Sequence, residues 1–517
     1  MPAHAIAPYV CTGGITIATD EQNSTPQPER AQRPTAAEPA QAAAQGQPAQ
    51  DAIARVDRLG TAKVTRLMRE FAIPSIIGLV VNGLYNIIDS IFLGHGVGPI
   101  GLATATIALP IMIVGMGIAI LVGQGGNALT ALRLGAGKRD EAERIVGVTF
   151  SLTIIASLLC TAALFLFMDP VLTLSGANVE TRDSAHVFLS IIGGGMFLQF
   201  IGMGFNNFIR TAGDPGRALY TMVAGTAVCI VLNWLFVMVL GWGIAGSAWA
   251  TVIGQGVSAV LVFWYFAFSR KAPFKLRIPN LKLDWRIVRG ILALGSAPFV
   301  LQIANAVINF VLNGQLESLG AEHVIGSVGA LAAIGLVGRV AMFAFFPILG
   351  VAMAAQPLFG YNYGAKNYRR VIATFKIAMV WVTAIGIFFW VLVHLVPGPI
   401  VMLFGVEDDL LAFTVGALKV QVFMMPLIGL QVVAVQYFQS SGQPLKSMIL
   451  STTRQILYLI PLIYLLPKVI THIFPTLTPL DGVYYAYPVA DILSIVTCGI
   501  LMLIEFRKLK ARIREST

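Results

Sequence analysis

The chain has 517 residues, 56% of them hydrophobic and only 12% charged, about half the charge of an average soluble domain, which excludes a water-soluble globular fold. A formal net charge of +10 would suit a nucleic-acid binder, but the placement of the charges argues against one. Of the 35 Lys and Arg, 31 lie up to Arg69 or in six loops at 133–144, 210–217, 270–289, 366–376, 446–454 and 507–514, leaving only Arg182, Arg339, Lys419 and Lys468 elsewhere.

In chain order, residues 1–52 are rich in Ala, Pro, Gln and Thr. They bury too little to order themselves and are expected to form a disordered cytoplasmic tail. Residues 53–70 mix basic and large apolar side chains, as an interfacial helix leading into the membrane does. Apolar stretches follow at 66–93, 98–131, 145–168, 184–209, 218–240, 244–268, 287–315, 326–359, 372–396, 411–437, 447–467 and 483–506. Since roughly 20 apolar residues cross a bilayer as a helix, the reading is an all-α polytopic membrane protein with twelve transmembrane helices. An even count returns both termini to one side, and the one-sided basic loops make that side the cytoplasm. The four cysteines, Cys11, Cys160, Cys229 and Cys498, form no CxxC pair, so neither a disulfide framework nor a metal site is expected.

Polar groups inside the spans mark candidate function. Asp89 is a carboxylate within the first span, with Asn82, Tyr85 and Asn86 three to seven residues earlier and near its face. A carboxylate facing hydrocarbon is costly, so Asp89 is expected to face protein or a watery cavity; a structural polar patch between helices is the alternative. The seventh span carries an uncharged polar stripe, Gln302, Asn305, Asn309 and Asn313, expected to line a central cavity. Asp491, near mid-bilayer in the last span, would meet a cationic substrate or a second proton, or lock C-terminal helices together. Glu317 reads as a rim charge, and Arg339 is expected to pair with Glu317 or Glu322. His186 and His394 read as packing groups.

The chain also repeats itself. Gly213-Asp214-Pro215-Gly216-Arg217 recurs as Gly442-Gln443-Pro444-Leu445-Lys446, and Gly135-Ala136 as Gly364-Ala365, both at an offset of 229. Pro74, Asp89 and Gly96 match Pro298, Asn313 and Gly320 at an offset of 224. Six spans per repeat give two lobes in one orientation, related by a pseudo-twofold axis along the membrane normal with a cavity between them. The expected organisation is a tail over 1–52, an N-terminal lobe over 53–269, a basic linker over 270–286 and a C-terminal lobe with a basic tail over 287–517. The pairing of Asp89 with Asn313 confines titration or cation binding at that level to the first lobe.

Five motifs in order resemble the MATE (multidrug and toxic compound extrusion) transporters: Asn86-Ile-Ile-Asp89-Ser-Ile-Phe-Leu-Gly94, Leu134-Gly135-Ala136-Gly137-Lys138, Phe208-Ile-Arg-Thr-Ala-Gly-Asp214, Gly241-Trp-Gly-Ile-Ala-Gly-Ser-Ala-Trp-Ala-Thr251 and Gly360-Tyr-Asn-Tyr-Gly-Ala-Lys366. The resemblance implies an antiporter of a bacterial inner membrane. It would export small amphipathic organic cations against inward proton or sodium flow, as a monomer in lipid and without a cofactor. It also implies an ion-coupling set of Asp89, a pair on the fifth helix, Thr251 on the sixth, and Asn206 or Asn207 on the fourth. At the fifth-helix pair, where relatives carry Asn and Asp, this chain has Cys229 and Asn233. A sodium site wants several hard oxygens, so that departure favours proton coupling. The substrate cavity would include Tyr85, Asn86, the seventh-helix stripe and Asp491. A lipid-linked precursor flippase of the same superfamily is the rival, disfavoured because the lobe interiors look acidic and amide-rich. An intramembrane enzyme is disfavoured because no Walker A, HExxH or paired-acid constellation is present.

Overall fold

The computed structural model describes residues 54–175, 181–269, 272–402 and 408–515; the expected tail over 1–52 lies outside the described residues. A short helix over 54–61 precedes the first spans, α1 (Val64–Gly96), α2 (Pro99–Gly135) and α3 (Arg139–Leu166). The fourth span is a pair, α4 (Arg182–Gly194) and α5 (Met196–Thr211); α6 (Pro215–Asn233) and α7 (Gly243–Ala267) close the first repeat. The second repeat runs α8 (Trp285–Gly320), α9 (Gly326–Gly364), α10 (Tyr368–Leu395), the pair α11 (Asp408–Val422) and α12 (Met425–Ser440), α13 (Pro444–Thr452), α14 (Ile460–Ile473) and α15 (Pro479–Glu515). Among the described residues ten helical stretches are long and apolar enough to cross a membrane, and counting each bent pair as one span gives twelve. The protein is a multi-pass membrane protein.

Four breaks were not visible in the apolar pattern. α4 and α5 meet at 52°, where Gly193, Gly194 and Gly195 supply no side chains to stiffen the helix. α11 and α12 meet at 47°, where Pro426 opens α12 and removes a backbone donor. Two π-helical segments interrupt spans that read as regular: Trp234–Val239 continues α6, and Thr453–Leu459 joins α13 to α14. There is one per repeat, in the fifth and eleventh spans. A π-segment inserts an extra residue per turn and often marks a functional site.

The repeat is visible in how the lobes meet. α1 packs on α9 and α2 on α8. Toward the end that carries the basic loops, Asn127 Nδ2 donates to Gln356 Oε1 at 3.4 Å, between residues 229 apart. A Cβ on Gly135 would overlap the carbonyl oxygen of Tyr361, and one on Gly364 would overlap that of Leu132. Tyr361 and Leu132 are again 229 apart, so the two contacts are pseudo-twofold mates. In lipid, where apolar side chains gain little by leaving their surroundings, such backbone-to-backbone approach at small residues is a main source of helix association.

The leading segment bridges both halves. Asp57 takes Arg139 of the first repeat at 3.1 Å and the Tyr361 hydroxyl of the second at 3.3 Å. Arg370 Nη2 donates to the carbonyls of Leu59 at 3.1 Å and Ala62 at 2.7 Å. Leu59, Leu67, Met68 and Phe71 are buried in the same apolar cluster as α9, α10, α12 and α15. The basic segment after α7 also packs: Phe274 is buried, with its ring stacked on Phe266 at 5.6 Å, and Leu281 accepts from Ser151 Oγ at 2.7 Å.

Candidate functional site

The side chain of Asp89 points into the first lobe. Along α1, Ile76 and Gly83 meet α9, at Gly350 and Phe346; at about 100° per residue, Asp89 lies roughly 140° around the helix from Ile76. Its Oδ1 accepts from Asn233 Nδ2 on α6 and from Ser247 Oγ on α7 at 3.1 Å. Asn233 is fully buried and is the last residue before the π-segment, which sets its amide beside the carboxylate. Asp89 has no ion pair among the described residues and is only half-buried. A carboxylate held by two neutral donors with one side open can take up and release a positive charge; one locked to an arginine cannot.

A second layer extends the cluster. Tyr85, one turn before Asp89, places its hydroxyl 3.0 Å from Thr251 Oγ1, and Cys229 Sγ donates to the same oxygen at 4.0 Å. The four-residue spacings of Tyr85 to Asp89, Cys229 to Asn233 and Ser247 to Thr251 put each pair on one helical face. Ser247 is the member that sequence reasoning missed, although its place one turn before Thr251 was the available signal. Tyr85, expected in the substrate cavity, is hydrogen-bonded within this cluster. The side chain of Asn86 lies outside the described residues. Asn207 is elsewhere: it accepts from Arg210 Nη1 at 2.6 Å near the end of α5. Asn206 donates to Ala218 and Thr221, both at 2.8 Å, and among the described residues no hydrogen bond joins either amide to Asp89.

The α8 stripe divides. Gln302 lies beside Gly117 of α2, where a Cβ would sit 3.6 Å from Gln302 Cβ, so that face looks across to the first lobe. Asn305 Oδ1 accepts from Gln455 Nε2 at 3.0 Å, inside the second lobe. Asn309 donates to the Asn305 carbonyl at 2.8 Å, and Asn309 and Asn313 are exposed.

Two charged residues differ from expectation. Arg454, assigned by sequence to a basic loop, lies inside the continuous helix from Pro444, in the π-segment. Its Nε donates to Asp491 Oδ1, and Asp491 is 1% exposed. Asp491 is therefore no free acid for a substrate but half of a buried ion pair. The apolar run simply starts earlier than the positive charge suggested. Arg339 is exposed and makes no ion pair or hydrogen bond among the described residues, so the expected bridge to Glu317 or Glu322 is absent. No group of three or more His, Cys, Asp or Glu suited to a metal occurs among the described residues.

A family model, MatE, matches residues 74–235 and 303–465, one block per repeat and well over half of the chain. The chain belongs to the MatE family. It is a transporter, not an enzyme. It is 23% identical over 385 residues to the multidrug export protein MepA of Staphylococcus haemolyticus, covering 74% of this chain and 82% of that protein. It is 24% identical over 448 residues to the probable multidrug resistance protein YoeA of Bacillus subtilis, covering 84% and 92%. Among solved structures, an outward-facing multidrug resistance MATE family transporter of the MOP superfamily superposes with a TM-score of 0.81 at 23% identity, over 88% of this chain and 98% of that one. A MOP superfamily transporter from Pyrococcus furiosus superposes with a TM-score of 0.80 at 23% identity, over the same shares. These likenesses establish the two-lobe, twelve-helix fold.

Proposed function

We propose that this MatE transporter is a secondary active antiporter that exports small amphipathic, mostly cationic drugs or metabolites in exchange for protons, by alternating access between its two lobes. It works as a monomer in a bacterial inner membrane, with both termini and the basic loops in the cytoplasm. The observation that carries the reading is Asp89, a half-buried carboxylate held by Asn233 and Ser247 with no ion pair among the described residues. Protonation from the far side cancels its charge, rearranges the hydrogen bonds that tie α1 to α6 and α7, and favours release of the organic cation. The deprotonated form, open to the cytoplasm, captures the next one. The relatives named for multidrug export support the substrate class, and the lone carboxylate supports an ion gradient as the energy source.

One observation favours sodium as a second reading. Asn233 Oδ1 is buried beside Asp89 without a hydrogen-bond partner, an oxygen that a hard cation could use alongside the carboxylate and Ser247 Oγ. Dye efflux from vesicles under separately imposed proton and sodium gradients distinguishes the two ions. Asp89→Asn should insert and fold normally yet lose gradient-driven efflux under either ion. Transport from that variant at the wild-type rate would remove Asp89 from the mechanism.

A further inference from the structure

The unpaired Arg339 is the feature that the export reading leaves unused. Phe346 and Gly350 follow it by seven and eleven residues, so all three lie within about 20° of one line along α9. Phe346 packs against Gly83 of α1, and Gly350 has the backbone of Ile76 on α1 within 2.9 Å of where its Cβ would be. The Arg339 side of α9 therefore faces the first lobe. Where Phe346 touches α1 the lobes are in contact; Arg339 lies about 10 Å farther from the basic end along α9. Arg339 is exposed, and a Cβ on Gly335, one turn beyond it, or on Gly338 would meet nothing within 4 Å. Arg339 thus stands on the wall of the open cleft between the lobes.

Among the described residues no acid pairs with it. Glu317 and Glu322 make no ion pair with it, and the carboxylate of Asp491 is taken up by Arg454. On the other wall, Asp89 points into its own lobe. A guanidinium is a planar fork of donors that matches a carboxylate or phosphate in two parallel hydrogen bonds, and an unpaired one in a membrane span is costly unless it faces water or a ligand. Next to it, Met342 is exposed, and Phe343 packs edge-on against Phe346 at 6.1 Å, a deformable apolar floor.

We propose that Arg339 binds an oxyanion carried by the substrate, so that the cleft accepts amphipathic zwitterions with a carboxylate as well as plain cations. This rests on the export reading and narrows its substrate class. The chemistry is that of any oxyanion on an amphipathic molecule; a soluble carboxylate is the assigned source, and a lipid phosphate is the other.

The test uses the full-length protein and a matched pair of xanthene dyes: the zwitterionic free acid and its ethyl ester, which keeps the ring cation and lacks the carboxylate. Binding is read by fluorescence anisotropy in detergent, and efflux in vesicles. Arg339→Gln should weaken binding of the free acid about tenfold or more while leaving the ester within about twofold; Arg339→Lys, which keeps the charge, should fall between and controls for folding. Equal loss for both dyes, or none for the acid, overturns the proposal. So does displacement of the acid from the wild type by short-chain phosphatidylglycerol but not by benzoate, because the lipid phosphate would then be the ligand. If the wild type exports the ester but never binds the acid, this proposal fails and the export reading stands. If it exports neither dye, the export reading fails, while the binding arm still decides Arg339.

Discussion

Alternating access requires the sealed end to come apart, and a tight part of that seal, nearest the basic loops, is the pair of glycine contacts at Gly135 and Gly364. Replacing Gly364 by Ala puts a methyl group into the carbonyl oxygen of Leu132. A backbone oxygen within a helix cannot swing aside, so restoring ordinary contact near 3.5 Å moves α9 from α2 by roughly 1 Å or more. Overpacking of this kind costs about 1–3 kcal/mol. The penalty falls only on the conformation in which the lobes touch there, so the balance should shift roughly 5- to 150-fold toward the form open at the basic end. Gly135→Ala, its pseudo-twofold mate against Tyr361, should do the same. The assay is a spin-label pair at Lys138 and Lys366, both exposed beside the two glycines, with distances read by pulsed electron resonance in lipid discs. A longer-distance population should appear in each variant, with slowed efflux. An unchanged distance distribution together with full efflux would refute the idea that this contact must open.

Three further outcomes follow from single groups. Ser247→Ala removes one of the two donors on Asp89, worth about 1.5–3 kcal/mol for a hydrogen bond to a charge; gradient-driven efflux should drop roughly tenfold with expression and folding intact, and normal efflux would reduce Ser247 to packing. Arg454→Met leaves the Asp491 charge buried and alone and should cost about 3–5 kcal/mol, whereas Arg454→Met with Asp491→Leu should recover most of that; the thermal midpoints of the purified variants decide, and equal losses would show that the pair is not the cause. Thr211→Val strips the donor that reaches Asn127 Oδ1 at 2.7 Å beside the interlobe bond to Gln356. It should cost about 1–3 kcal/mol, visible as a lower melting temperature, and no change would mean that water takes the vacated bond.

The residues differ in how much they disclosed. Asp89 was legible because an acid in a long apolar run has few places to go, whereas Thr251 and Asn233 were singled out only through the family resemblance, and the helical period added just that Asn233 shares a face with Cys229. Ser247 was hidden because a serine in a membrane helix commonly bonds its own backbone, and only the approach of α7 to α1 turns its hydroxyl to the carboxylate. Asn207 was misplaced because a helical face is fixed by sequence only relative to its own axis; the direction in which the axis points is set by neighbours. Arg454 was misread as a loop residue because positive charge usually marks a boundary, and here a partner 37 residues away in sequence makes its burial tolerable.

Sequence alone determined the membrane class, the twelve spans, the duplication and one lone acid in the first repeat, since hydrocarbon thickness, charge placement and helical period all act locally along the chain. The tertiary structure decided what each polar group faces: Asp89 toward two neutral donors, Asp491 toward an arginine, Arg339 toward an open cleft. It also decided where spans bend and where the lobes touch. Those outcomes depend on how helices distant in sequence pack together, and packing depends on shape and on hydrogen-bond partners that no local pattern encodes.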